Sequence, residues 1–121
     1  MAAKSFGEYF KQRRIATGLT LRAFCERHGF DPGNISKLER GVLSPPSGVE
    51  KLAEYAASLD LERKSVDWFE FFDLASAARG EIPGDILSDA QVVERLPVMF
   101  QAMRDLDPEK LDKFIELIRR S

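Results

Sequence analysis

Apolar residues along the chain recur at three- and four-residue spacing, the period of a helix face. No stretch shows the two-residue alternation of a half-buried strand. In the first run the stripe is Phe6, Phe10 and Ile15. It is opened by Ser5-Phe6-Gly7-Glu8, in which the serine hydroxyl and the glutamate three residues on can satisfy free backbone donors, and it ends at Gly18. Thr20 caps a second run with Leu21, Phe24 and Cys25 inward, which Gly29 closes in the left-handed conformation that glycine takes cheaply. Asp31-Pro32 restarts at once, because Asp accepts from free amides and Pro at the first helical position loses no hydrogen bond. Ile35 and Leu38 carry that third helix onto the core, and Gly41 stops it.

After a loop from Val42 to Pro46, Ser47-Gly48-Val49-Glu50 reads as a capping box opening a fourth helix, with Val49, Leu52, Ala53, Ala56 and Leu59 inward. A fifth spans about Ser65 to Ala78 and is dense in aromatics: Trp68, Phe69, Phe71 and Phe72. Arg79 to Gly84 is a break. A short helix near Asp89 to Leu96 follows, then a continuation led by Pro97 to about Arg104. A last helix is capped by Asp107, with Leu111, Phe114, Ile115 and Ile118 on one face.

Charge changes the picture more than composition does. The formal net charge is −2, yet Met1 to Gly48 holds eight Lys/Arg against four Asp/Glu, and the rest holds ten against sixteen. A basic front and an acidic back point to a polyanion meeting the front half only. No window approaches the roughly 18 continuous apolar residues of a membrane span, and no apolar leader follows Met1 to Ser5. A single cysteine, Cys25, cannot form an internal disulfide. The expected location is the cytoplasm. Cys25 and His28 form a C-x-x-H, but no second Cys or His exists to complete a metal site, and the chain offers no catalytic arrangement. No cofactor and no enzymatic activity are expected.

The informative stretch is Leu19 to Gly41. Two short helices crossing over a tight turn need a small residue at the crossing (Cys25), a glycine in the turn (Gly29) and apolar anchors after it (Phe30, Ile35, Leu38). The positions between those anchors are Gly33, Asn34, Ser36, Lys37 and Arg40, none of them acidic and several able to donate to base edges or phosphates. With Leu19-Thr20, Cys25, Gly29, Ile35-Ser36 and Leu38-Glu39-Arg40-Gly41, the chain resembles the XRE family of lambda-repressor-like helix-turn-helix proteins from about Phe6 to Leu59.

That resemblance implies an all-α, five-helix DNA-binding domain, here over residues 1–79, whose third helix enters the major groove. A C-terminal helical extension over 80–121 would follow. By the same resemblance Gly33, Asn34, Ser36 and Lys37 lie at or near base edges, with Arg40 beside them. Thr20, Leu21 and Arg22 lie against the phosphate backbone, joined by Lys11. Arg14 and Glu39 are implied as a partly buried ion pair between the first and third helices, direct phosphate contact by Arg14 being the alternative. Pro32-Gly33 offer no side-chain donors where the family often has Gln, Ser or Arg, so readout narrows to fewer residues and DNA shape carries more of it.

The expected function is a transcriptional regulator, a repressor acting by operator occupancy on double-stranded DNA. It would pair as a homodimer through the surplus apolar helix after Val66. The alternative is an antitoxin that binds a protein partner through its C-terminal helices. The aromatic run is core or dimer surface, with Phe69 as the exposed anchor.

Overall fold

The computed structural model describes residues 4–120; Met1 to Ala3 and Ser121, where the expected segments begin and end, lie outside the described residues. Among the described residues the fold is all helical, with no strand. The helices are α1 (Phe6–Ala16), α2 (Leu21–His28), α3 (Pro32–Glu39), α4 (Val49–Ser58), α5 (Val66–Arg79), α6 (Gly84–Leu87), α7 (Ala90–Arg104) and α8 (Pro108–Arg120). They form two compact units, one through Pro83 and one from Gly84.

Local chemistry sets most of the boundaries in the first unit. Ser5, Thr20, Asp31 and Ser65 each accept a hydrogen bond from the amide three residues on, which satisfies a donor that the first helical turn leaves free. Gly29 (φ 71°) and Gly80 (φ 69°) end α2 and α5 in the left-handed region. α4 departs from the expected capping box: its cap is Gly48, with no side-chain bond.

α1 is the hub, packed on α3 and on α5. Its inward residues Phe6, Tyr9 and Phe10 join Phe24, Ile35, Leu52, Leu59 and Phe71 in one buried cluster. Phe10 meets Phe24 and Tyr55 edge-on at ring separations of 5.9 and 5.6 Å, a geometry aromatic quadrupoles favour. Ile15 is not part of this stripe, being 56% exposed. Five residues after Phe10 it stands about 140° around the helix, and Arg14 takes the inward place instead. Val49 (71% exposed) and Ala53 are likewise outside; α4 buries Leu52, Ala56 and Ser58, and Leu59 is buried at its C-cap. In α5, Phe71 is fully buried and Trp68 and Phe72 are half-buried, while Phe69 is 41% exposed.

In the second unit α6 packs on α7. α6 starts at the last residue of the expected break and fills the stretch before the helix expected near Asp89, where no helix was expected. α7 runs unbroken through Pro97 instead of splitting there. Val93 and Pro97 are exposed, so water can replace the amide partner that proline denies the Val93 carbonyl. Leu96 is the one buried residue among the described residues of this unit.

Gly7 explains how α1 and α3 come so close. A Cβ there would stand 2.5 Å from the Leu38 carbonyl oxygen and 2.6 Å from that of Glu39. Both are backbone atoms that cannot swing aside. Gly7→Ala should therefore destabilise the fold by about 1–3 kcal/mol, the usual range for overpacking, lowering Tm by several degrees in a circular-dichroism melt. Gly84→Ala, where an added methyl meets open space, should move Tm little.

Candidate nucleic-acid interface

α2 and α3 pack against each other through buried Phe24, Cys25, Ile35 and Leu38. The turn between them is three residues, Gly29, Phe30 and Asp31. Gly29 supplies the positive φ, and both Gly29 and Phe30 donate their amides to the Cys25 carbonyl. Phe30 folds back onto Phe24 at 5.8 Å and Tyr55 at 5.0 Å, with the Lys51 ammonium 5.0 Å above its ring. The turn is thus held by aromatic packing as well as by backbone bonds. Burial pushes the Cys25 thiol above its ordinary pKa, which keeps it a small neutral core residue. His28 rests on Phe24 and Phe30.

α3 is oriented by an ion pair. Arg14 Nε donates to Glu39 Oε2 at 2.7 Å and Nη2 to Oε1 at 2.9 Å, while Nη1 donates to the Leu19 carbonyl. The two side chains are only 8% and 6% exposed. Such a forked pair fixes direction as well as distance. Its hydrogen bonds with Glu39 raise the Arg14 pKa further, against the opposing effect of burial. Glu39 is also the only acidic residue within α3, so the pair draws that carboxylate off the outer surface.

What remains outside is the opposite face. Pro32, Gly33, Asn34, Lys37 and Arg40 are exposed. Ser36 is half-buried, its hydroxyl accepting from Arg40 Nε at 3.3 Å. Asp31 is exposed but its carboxylate turns onto the Asn34 amide. At the start of α2, Thr20 is exposed with its hydroxyl on the Ala23 amide, and Leu21 is half-buried against the core. Leu21 therefore has only its backbone amide to offer an anion. Arg22 stands in solvent 3.8 Å from Glu26, and Lys11 is exposed on α1.

These are two short helices, a glycine turn and an outward basic helix braced from behind. A family model described as a helix-turn-helix domain matches residues 5–65, about half of the chain. The chain belongs to the helix-turn-helix family. Comparison with curated proteins and with solved structures returned no match. The helix-turn-helix domain so defined takes in α1 to α4 and the cap of α5, and it marks the chain as a helix-turn-helix DNA-binding protein. Among the described residues, no helix is long and apolar enough to cross a membrane.

Two contacts that support the domain have no signal in sequence. The Tyr9 hydroxyl donates to the Asp67 carbonyl at 3.0 Å, and Arg13 lies 3.4 Å from the Asp67 carboxylate. Burial, with Glu70 and Asp67 nearby, raises the Tyr9 pKa. Together these contacts tie α5 to the back of α1. Their partners are more than 50 residues apart, beyond any local pattern.

Because the Arg14–Glu39 pair is buried, removing one partner strands the other's charge. Arg14→Ala and Glu39→Ala should each cost about 3–5 kcal/mol in chemical denaturation. The apolar double variant Arg14→Met/Glu39→Leu should cost far less than the sum of the two.

Proposed function

We propose that the protein is a sequence-specific transcriptional regulator that occupies a duplex operator and represses by that occupancy. The observation that carries this reading is the outward face of α3, where no residue within the helix exposes a carboxylate once Glu39 is turned onto Arg14, and the exposed Asp31 at its cap is held to the Asn34 amide. In this reading α3 lies in the major groove. Asn34 can donate to and accept from adenine, and Lys37 can reach guanine O6 and N7. Gly33 lets the backbone come close, while Ser36 and Arg40, linked to each other, serve the far end of the helix. The amides of the first turn of α2, at Thr20, Leu21 and Arg22, carry the positive end of the helix dipole toward a phosphate, with the Arg22 and Lys11 side chains beside them.

With so few base-reading side chains, one module gains limited affinity. Two copies on half-sites about 34 Å apart would supply the rest. A second reading, capture of a cognate toxin by the C-terminal helices, draws on the exposed apolar face of α8.

Selection of bound duplexes from a random pool tests the first reading. Wild-type protein should enrich one motif. Asn34→Ala and Lys37→Ala should each relax preference at particular positions, by about 1–3 kcal/mol per contact, whereas Lys11→Ala should weaken all sequences alike and lower the salt slope by about one. Failure to enrich any motif would reject operator binding, and uniform weakening by Asn34→Ala and Lys37→Ala would assign those residues to phosphate instead.

A further inference from the structure

α8 is capped by Asp107, whose carboxylate accepts from the Lys110 amide at 2.8 Å, and its apolar stripe is Leu111, Phe114, Ile115 and Ile118. Yet no residue of α8 is buried; Phe114, Ile115 and Ile118 are 45, 40 and 56% exposed. A helix of this length is marginal in water by itself, its stability coming from whatever covers the apolar face.

The charges beside that stripe identify the cover. Lys113 pairs with Glu109 and Arg120 with Glu116 within the helix. Asp112 and Arg119, like Lys110 on the other flank, have no ion-pair partner among the described residues. Seven residues apart, they lie within about 20° of each other around the helix, on the same flank of the stripe. A two-fold axis across an antiparallel helix pair sets each flank against its own copy. Asp112 of one chain then meets Arg119 of the other, and the reverse pair forms at the opposite end. Offset from those pairs by two residues, about 3 Å along the axis and within reach of a long arginine side chain, Leu111 faces Ile118 of the second copy and Phe114 packs beside Ile115. A parallel pair would instead set the Asp112–Arg119 flank against the opposite one, leaving Arg119 beside Leu117.

We propose that α8 is a self-association surface, on which a second copy of this chain docks antiparallel through the Leu111–Ile118 stripe and two reciprocal Asp112–Arg119 ion pairs. The proposal rests on the reading of the chain as a paired regulator and names the surface that does the pairing. Four apolar side chains per helix bury less than the roughly 1,200 Å² of standard stable interfaces, so the expected dissociation constant is micromolar.

Sedimentation equilibrium of the full chain without DNA, over about 1–100 µM and at low salt, provides the test, with circular dichroism to verify that each variant keeps its helix content. Wild type should form a reversible dimer. Ile115→Glu, which buries a charge at the centre of the pair, should raise the dissociation constant about 100-fold or more. Asp112→Arg and Arg119→Asp should each weaken self-association on the order of tenfold, because each places like charges together twice. An equimolar mixture of those two variants should recover a mixed dimer as strong as wild type, since both cross-pairs are again opposite in sign. A chain that stays monomeric throughout, a dimer indifferent to Ile115→Glu, charge variants that do not complement, or association only with a different protein would each overturn the proposal. No DNA is present, so such a failure leaves base reading by α3 to its own experiment.

Discussion

Everything the outer face of α3 can do depends on the Arg14–Glu39 pair behind it. An eight-residue helix does not hold itself in water; its direction is borrowed from what it packs on. Here α1 supplies that direction at two points, two turns apart. At one, the forked guanidinium grips the Glu39 carboxylate; at the other, Gly7 admits the backbone of Leu38 and Glu39 into contact. The pair adds little net stability, because two charges leave water to form it. What it contributes is a fixed angle and an outer surface cleared of its one carboxylate.

The aromatic core transmits that constraint. Phe10 sits between Phe24 of α2, Tyr55 of α4 and Phe71 of α5, so α1 is clamped from several sides. Tyr9 and Arg13 reach Asp67 at the start of α5, and Arg79 at its end donates to the Pro45 carbonyl. The loop after α3 is thereby held by the same helix that backs α1. Rigidity of this kind suits recognition, since a reading helix must present its donors within a fraction of an ångström of base edges.

The unit from Gly84 onward follows different physics. It has a well-capped terminal helix and a coherent apolar stripe, but little of its surface is buried within the chain. Local signals there are strong enough to form helix, while most of its apolar side chains stay exposed.

Much of the first unit was legible in sequence because its punctuation is local. Ser5, Thr20 and Asp31 cap through bonds spanning three residues, and Gly29 needs its φ whatever surrounds it. The helix-turn-helix and its outward residues follow from that spacing. Other features were decided only by tertiary structure. Ile15 and Val49 are as apolar as their buried neighbours, but which residue of a turn faces inward depends on where the partner helix lies. The periodic pattern assigned Ile15 a place that Arg14 fills, because Glu39 arrives there to neutralise a buried charge. Gly7 reads locally as one residue of a capping pattern, and its role emerges only when the end of α3 lands on it. Caps, turns and residue types are set over three or four residues of chain and can be read from it. Close approach and burial are set by elements tens of residues apart, and exist only once the chain has folded.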